Sequence, residues 1–173
     1  VAFENGQPVG RIGASRLPSH AETGAIGFFE APNAATAGAL LLAAETWLKE
    51  RGVKLAVGPM ALNTWFSYRF RTDEHDLKFA WEPNNPKEYP GYFTANGYTE
   101  AEAYHSPAAE GLSAYAERTY ESLKRLSGEG FRFRPFDGAK FLEKEVPILY
   151  ELSQVAFQNN YLFEPISFEF FRE

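Results

Sequence analysis

The chain has 173 residues, which is enough for one domain of medium size or for one domain and part of a second. Hydrophobic residues make up 45% and charged residues 23%, so the composition predicts a globular protein with a substantial core. The formal net charge is -6 with no dense run of Lys and Arg, which argues against nucleic-acid binding. The lack of cysteine excludes disulfides and thiolate metal sites, and no apolar run is long enough for a membrane helix.

The same features set expectations about location and binding. A chain without cysteine suits a reducing compartment and no secretory signal is visible, so we expect a cytoplasmic protein. Aromatic residues reach 16%, and aromatic side chains both fill cores and line pockets. The chain begins at Val1 within a stretch typical of a strand, and we expect the natural protein to extend before it.

The first elements predicted are strands. Residues 1–3 and 9–15 flank an Asn5-Gly6 pair, which is the strongest short signal for a β-hairpin turn. The polar residues 17–23 predict a loop. Residues 24–30 form a short apolar run between breakers, which indicates a central strand.

The clearest helix is predicted over residues 34–51. Asn33 is a suitable N-cap and Gly52 a suitable end. The predicted buried face contains Ala37, Leu40, Leu41, Ala44, Trp47 and Leu48. Residues 53–57 follow as another buried strand, and a strand, helix and strand in succession predict a right-handed crossover between parallel strands.

The rest of the chain is less regular. Residues 58–90 are rich in proline and aromatic side chains and predict irregular structure. The periodicity beyond them predicts a helix over 89–96 closed by Gly97, a strand over 98–105, an amphipathic helix over 112–126, a strand over 131–134 and a helix over 147–158.

The junction between the central strand and the first helix, residues 28–42, is the candidate site. A helix N-terminus exposes free peptide N–H groups with partial positive charge, and small residues let a phosphate approach them. The small residues here are Ala34, Ala35, Ala37, Gly38 and Ala39. A helix rich in alanine that packs closely on a sheet is the alternative explanation, because alanine is the best helix former.

The order of these elements resembles the GNAT N-acetyltransferases. In that family the pyrophosphate of acyl-CoA lies on a (Gln/Arg)-x-x-Gly-x-(Gly/Ala) loop that opens the helix. The corresponding segment here is 33–38, Asn-Ala-Ala-Thr-Ala-Gly, followed by the leucine run 40–42. Gly38 matches the pattern, whereas Asn33 and Thr36 depart from it.

The resemblance implies an α/β (α+β) fold of the GNAT acyl-CoA N-acyltransferase type, with a mixed twisted sheet and helices on both faces. It implies acetyl-CoA or another acyl-CoA as acyl donor and a small-molecule amine or a peptide as acceptor. The coenzyme would lie against Phe28, Phe29, Asn33, Ala34, Ala35, Thr36, Ala37, Gly38 and Ala39. A strand amide near residues 28–30 would stabilise the developing oxyanion.

Two residues are the catalytic candidates that follow from the resemblance. Glu30 ends the central strand near the expected acceptor amine and could act as general base; an exposed acid at a strand end is the alternative. The family often places a general-acid tyrosine four residues before the glycine of a Gly-Phe pair. The pair here is Gly97-Tyr98 and the matching residue is Phe93, so Tyr92, one position away, is the candidate.

Other segments resemble a poorly characterised bacterial branch of GNAT-like proteins in which two domains occur in tandem. They are Pro8 to Ile12, Gly27 to Glu30, Gly58 to Met60 and Glu82 to Pro86. We therefore expect residues 1–127 to form a GNAT-like domain that lacks its N-terminal strand and helices. Residues 128–173 would begin a second copy, truncated, which would be a partner of the first.

Further side chains suggest an acceptor pocket. The aromatic segment 65–71 provides Trp65, Tyr68 and Arg69 as candidate substrate-binding residues, and Arg69 or Arg71 could hold a carboxylate. A loop whose aromatic rings cover the sheet is the alternative. The three histidines are too dispersed to predict a metal site, and the residues Asp73-Glu74-His75-Asp76 are typical of a solvated loop.

Three hypotheses on function remain open from the sequence. The leading one is an acyl-CoA-dependent N-acyltransferase. The second is a catalytically inactive GNAT-like binding module, and the third is a structural half of a two-domain protein.

Overall fold

The computed structural model describes residues 1–73, 80, 82–107 and 111–173. The chain forms two compact units, each described by itself. The first contains residues 1–101 and 154–166, and the second contains residues 102–153 and 167–173. The proposal that residues 1–127 and 128–173 belong to two copies of one domain stays a prediction.

Four strands of the first unit form one mixed sheet in chain order: β1 (Ala2–Glu4), β2 (Gln7–Leu17), β3 (His20–Glu30) and β4 (Leu55–Val57). The first three strands are antiparallel, and β4 runs parallel to β3. The fold is therefore mixed α/β, and the predicted parallel pairing is confirmed.

The β1–β2 hairpin is confirmed, whereas the predicted loop over 17–23 is wrong. Asn5 and Gly6 take positive φ values of 49° and 77°, as a tight two-residue turn requires. Leu17 pairs with His20, so that only two residues separate β2 from β3. The side chain of Leu17 is buried, and this burial keeps the chain in the sheet while the polar neighbours face outward.

The predicted first helix is α1 (Ala34–Lys49), which joins β3 to β4. Its buried residues are Ala37, Leu40, Leu41, Ala44 and Leu48, as predicted. Trp47 is an exception, because its side chain lies at the edge of this stripe and is 38% exposed. The guanidinium of Arg51 lies 3.9 Å from the centre of its ring and covers it instead.

The core lies on both faces of β3. Ile26 packs with the buried residues of α1 and with Phe93. Its neighbour Ala25 points the other way and packs with Leu17 and Met60. A strand buried on both faces explains why residues 24–30 form a continuous apolar run.

Helix α2 (Tyr89–Ala95) is confirmed close to its predicted bounds, and Gly97 ends it with φ of 90°. The predicted strand over 98–105 is wrong, because these residues form no regular structure. Tyr98 packs its ring on Phe93 and donates its hydroxyl proton to Glu45 at 2.9 Å. Burial and this carboxylate raise the pKa of the Tyr98 hydroxyl, and the contact attaches the chain to α1 rather than to the sheet edge.

The remaining helices are α3 (Leu112–Gly128), α4 (Val146–Phe157) and α5 (Phe168–Arg172). Helices α3 and α4 agree with the sequence prediction. The apolar side of α3 is exposed, with Leu112 77% and Tyr120 58% accessible. No helix in the described part of the chain has both the length and the apolar composition needed to cross a membrane.

The predicted strand over 131–134 is wrong, and the reason is an ion pair within the second unit. Arg134 donates two hydrogen bonds to the buried carboxylate of Glu145, at 2.6 and 2.8 Å. The peptide N–H of Asp137 donates a third at 3.0 Å. The hydrogen bonds from Arg134 and then from Asp137 lower the pKa of Glu145 from its usual 4.5 to about 2.

We expect Glu145→Gln to destabilise the protein in a pH-dependent manner. Because the pKa of Glu145 is lowered in the folded state, its stabilisation is complete above about pH 4.5 and disappears as the pH falls toward 2. Urea midpoints measured by circular dichroism should differ between wild type and variant at neutral pH and converge in acid. Glu143→Gln, at an exposed neighbouring position, is the control. A difference between the midpoints of wild type and Glu145→Gln that stays constant with pH would contradict the prediction.

A second prediction concerns the close contact at Gly27. A Cβ atom at this position would lie 2.6 Å from the Cα atom of Ala61 and would overlap the Met60 carbonyl. Overpacking against backbone costs about 1–3 kcal/mol, so Gly27→Ala should lower the free energy of unfolding by that amount and move the urea midpoint down accordingly. Gly91→Ala, at an exposed helix position with open space, should leave stability unchanged or raise it. Equal midpoints for the two variants would contradict the contact.

Candidate functional site

A β-bulge interrupts the end of β3. Arg11 pairs with Glu30 and Gly13 pairs with Gly27, so three steps along β3 face two steps along β2. Phe28 takes φ of 51°, and its ring is 48% exposed. Phe29 turns back into the core cluster that contains Ile26. The bulge therefore directs one phenylalanine outward and the next inward.

The parallel partner of β3 ends before the bulge. The last pair joins Ala25 to Val57, and β3 continues for five more residues. The chain then folds into a narrow loop over 59–69, in which Arg69 donates its peptide N–H to the Pro59 carbonyl at 3.0 Å. Met60 donates its peptide N–H to Ile26 at 2.7 Å and fastens the loop to β3.

An open cleft of about 410 Å³ lies between the bulged end of β3 and this loop. Pockets for small molecules have volumes of roughly 300–1,000 Å³. Five residues selected from the sequence line the cleft: Phe28, Phe29, Glu30, Tyr68 and Arg69. The other lining residues include Arg11, Phe66, Asn84 and Tyr89, none of which was named as a candidate site residue.

The predicted phosphate-binding residues 33–39 lie at the start of α1 and are not among the described residues that line the cleft. The side chain of Asn33 accepts the peptide N–H of Thr36 at 2.9 Å, which confirms the N-cap. Within the described part of the chain, the peptide N–H groups of Ala34 and Ala35 have no hydrogen-bond acceptor, and both residues are exposed. Two donors at this helix end are thus accessible to a ligand.

Gly38 has a packing reason for being glycine. A Cβ atom there would lie 3.2 Å from Oδ1 of Asn96, so α1 approaches the segment after α2 closely at this point. This contact supports the alternative that the small residues of α1 serve close packing. Ala37 is fully buried, whereas Ala39 is exposed.

Glu30 forms an ion pair with Arg11 across the two strands. Nη2 of Arg11 lies 2.7 Å from Oε1 of Glu30, and the side chains are 57% and 60% exposed. Exposed pairs contribute only about 0–1 kcal/mol, so this one can open at little cost. The acid that sequence analysis proposed as base therefore lies on the cleft next to a guanidinium.

Tyr89 is the tyrosine that the structure brings to the end of β3. Its hydroxyl accepts the peptide N–H of Ala31 at 3.2 Å, which leaves its own proton available for donation. Tyr92 is half-buried and lies against the ring of Tyr89, with 6.0 Å between centroids. Phe93 is 3% exposed and belongs to the core. Tyr89 lies three residues before Tyr92 and therefore on the same side of the helix. This spacing was the signal in the sequence that could have identified Tyr89 as the candidate tyrosine.

The loop residues proposed to bind substrate have different surroundings. Arg69 lies 3.5 Å from Glu82, and its guanidinium is 5.0 Å from the ring centre of Tyr68. Trp65 is not a cleft residue; its indole donates to the Glu164 carbonyl at 2.8 Å and its ring contacts Phe163. Trp65 thus joins the 59–69 loop to the segment 154–166 of the same unit.

Arg71 forms part of a backbone clamp rather than of the cleft lining. Its peptide N–H donates to Oδ1 of Asn85 at 2.7 Å, and the side-chain amide of Asn85 donates back to the Arg71 carbonyl at 3.2 Å. The Arg71 side chain pairs with Asp73. Among the described residues, no group of three or more His, Asp or Glu could hold a metal ion, and Glu74, His75 and Asp76 lie outside them.

Comparisons with family models, with curated proteins and with solved structures give no match to this sequence.

We expect loss of the N-cap to destabilise α1. Asn33→Ala removes the acceptor for the Thr36 N–H and should lower the free energy of unfolding by about 1 kcal/mol. Asn33→Asp keeps an acceptor and should stay within a few tenths of a kcal/mol of wild type. Urea unfolding followed by tryptophan fluorescence measures both. An alanine variant as stable as wild type would refute the cap.

Proposed function

We propose that this chain is a GNAT-like acyl-CoA-dependent N-acyltransferase domain that transfers an acetyl or other acyl group to an amine. The proposed family implies a mixed twisted sheet with helices on both faces. One observation carries the proposal. The bulge at Phe28 opens onto a cleft at the point where the parallel strand β4 has already ended.

A bulge suits acyl transfer because it takes one residue out of the hydrogen-bond ladder. We assign the peptide N–H groups of Phe28 and Phe29 to the thioester oxygen, where negative charge develops. Fixed donors at such a position are usually the largest single contribution to catalysis of this type. Removing one donor of this kind costs roughly 100- to 1,000-fold in turnover.

The start of α1 fits the phosphates of the acyl donor. The N–H groups of Ala34 and Ala35 are accessible, and the methyl side chains leave room for a phosphate. Asn33 and the backbone of residues 34–39 would form this part of the site. When bound, acyl-CoA supplies an activated carbonyl carbon and a thiolate leaving group.

Two residues of the cleft carry out the proton transfers. Glu30 accepts the proton that the acceptor amine loses as its nitrogen bonds to the carbonyl carbon. Tyr89 donates a proton to the sulfur as the carbon–sulfur bond breaks, and its hydroxyl is oriented by the Ala31 N–H. Tyr92, one position before the residue that matches the family pattern, stays the other candidate for this second step. Arg69 and Tyr68 line the acceptor side of the cleft.

A catalytically inactive GNAT-like binding module is the second candidate, and specific observations favour it. Phe93, at the family position for the general acid, is buried in the core. The Asn33 side chain already occupies one donor of the helix end, and Glu30 is paired with Arg11. Such a module would bind the coenzyme or a small ligand without turnover.

Titration of the full chain with acetyl-CoA tests the coenzyme site. We expect a dissociation constant in the micromolar range. Ala35→Glu should weaken binding at least about tenfold, because its carboxylate repels phosphate while an acid in the first turn is favourable for the helix. Ala43→Glu, at an exposed position further along α1, is the control. No binding up to about 1 mM would reject the coenzyme site.

Turnover with an amine acceptor separates the two candidates. In an active enzyme, Glu30→Gln should lower kcat by roughly 100-fold or more while leaving acetyl-CoA binding unchanged. Tyr89→Phe should lower kcat without changing acceptor KM. Tight acetyl-CoA binding with no acyl transfer in wild type would establish the inactive module.

A further inference from the structure

The Arg11–Glu30 pair presents two opposite charges side by side at the cleft. The two residues are cross-strand neighbours at the end of the bulge, and both line the cleft. Their charged atoms are 2.7 Å apart, and each side chain is more than half exposed. The cleft therefore offers an anion and a cation to the same small ligand.

A ligand can replace this exposed pair at little cost. The mutual attraction of two solvated charges adds little net stability, because water screens it. A ligand that brings one group of each sign gives both residues a new partner. Arg11 can bind a carboxylate through two parallel N–H donors, and Glu30 can accept from an ammonium. A free α-amino acid has these two groups on a single carbon atom, which matches two side chains already in contact.

The apolar part of the cleft favours a particular side chain. Phe28 and Phe66 line it with rings that are 48% and 36% exposed. Binding an apolar or aromatic side chain would remove the exposed surface of these rings from water, which is favourable. The Arg69–Glu82 pair is largely buried, with side chains 29% and 20% exposed, whereas Arg11 and Glu30 are more than half exposed, so the charge recognition is assigned to Arg11 and Glu30.

We infer that the cleft binds the zwitterion of a free α-amino acid with an apolar or aromatic side chain, with its carboxylate on Arg11 and its amino group on Glu30. If the proposed function holds, on which this role rests, the amino acid is the acyl acceptor. The bound ammonium first gives one proton to Glu30, which passes it to solvent, and the neutral amine then attacks the thioester carbon. Glu30 accepts the second proton as the nitrogen–carbon bond forms. Arg11 acts as a specificity-determining residue.

The inference requires discrimination between three related probes. An amine without a carboxylate takes Glu30 away from Arg11 and leaves the guanidinium to water. An acid without an amino group pairs with Arg11 and leaves the carboxylate of Glu30 to water. The full zwitterion pairs both side chains at once and should therefore bind at least about tenfold more tightly than either probe that pairs only one of them.

The experiment titrates the full chain with L-phenylalanine, phenethylamine and 3-phenylpropionate by calorimetry, first without acetyl-CoA. L-Phenylalanine should bind best, and Arg11→Gln should reduce its affinity to the level of phenethylamine. Arg16→Gln, on the same strand and outside the cleft lining, is the matched control and should bind like wild type. Urea midpoints of both variants verify that they are folded.

Three outcomes would overturn the inference: equal affinity for the three probes, no binding of L-phenylalanine up to about 10 mM, or unchanged binding in Arg11→Gln. The result is separable from that for the coenzyme. L-Phenylalanine binding that depends on Arg11 supports the inference even if acetyl-CoA does not bind. Acetyl-CoA binding without amino-acid binding leaves the proposed function in place and rejects this acceptor.

Discussion

The approach of the backbone at residues 60–61 to Gly27 is the contact on which the candidate site depends. Any side chain at residue 27 would collide with the backbone of this segment. The lack of one lets the chain after β4 lie directly on β3, where Met60 is fastened to Ile26. The 59–69 loop is thereby held beside the end of β3 and becomes the opposite wall of the cleft.

The bulge at the end of β3 places the side chains that line this candidate site. One extra residue reverses the alternation of side chains, so that Phe28 faces the cleft and Phe29 the core. The same irregularity ends at the Arg11–Glu30 pair. An aromatic ring and a pair of opposite charges thus meet within a few residues. Sites for small molecules commonly combine an apolar wall with few polar groups.

The small residues of the first helix fall into two groups, and close packing explains one of them. Ala37 and Gly38 are needed for close packing against the sheet and Asn96. Ala34 and Ala35 are exposed, and within the described part of the chain their N–H groups have no hydrogen-bond acceptor. Packing therefore accounts for Ala37 and Gly38, and only the first turn of the helix is left for the proposed coenzyme site.

The sequence by itself determined the local elements. The Asn5-Gly6 turn, the Asn33 cap and the buried stripe of α1 follow from backbone preferences and periodicity over a few residues. It also selected the junction over residues 28–42 as the candidate site, and from that junction Phe28, Phe29 and Glu30 line the cleft. Only the tertiary structure decided which tyrosine and which arginine reach that site. Tyr89 and Arg11 are brought there by side-chain packing and by the register between strands, and these depend on contacts between residues far apart in the chain. For the same reason, the predicted strands at 98–105 and 131–134 do not form, because Tyr98 and Arg134 find partners elsewhere.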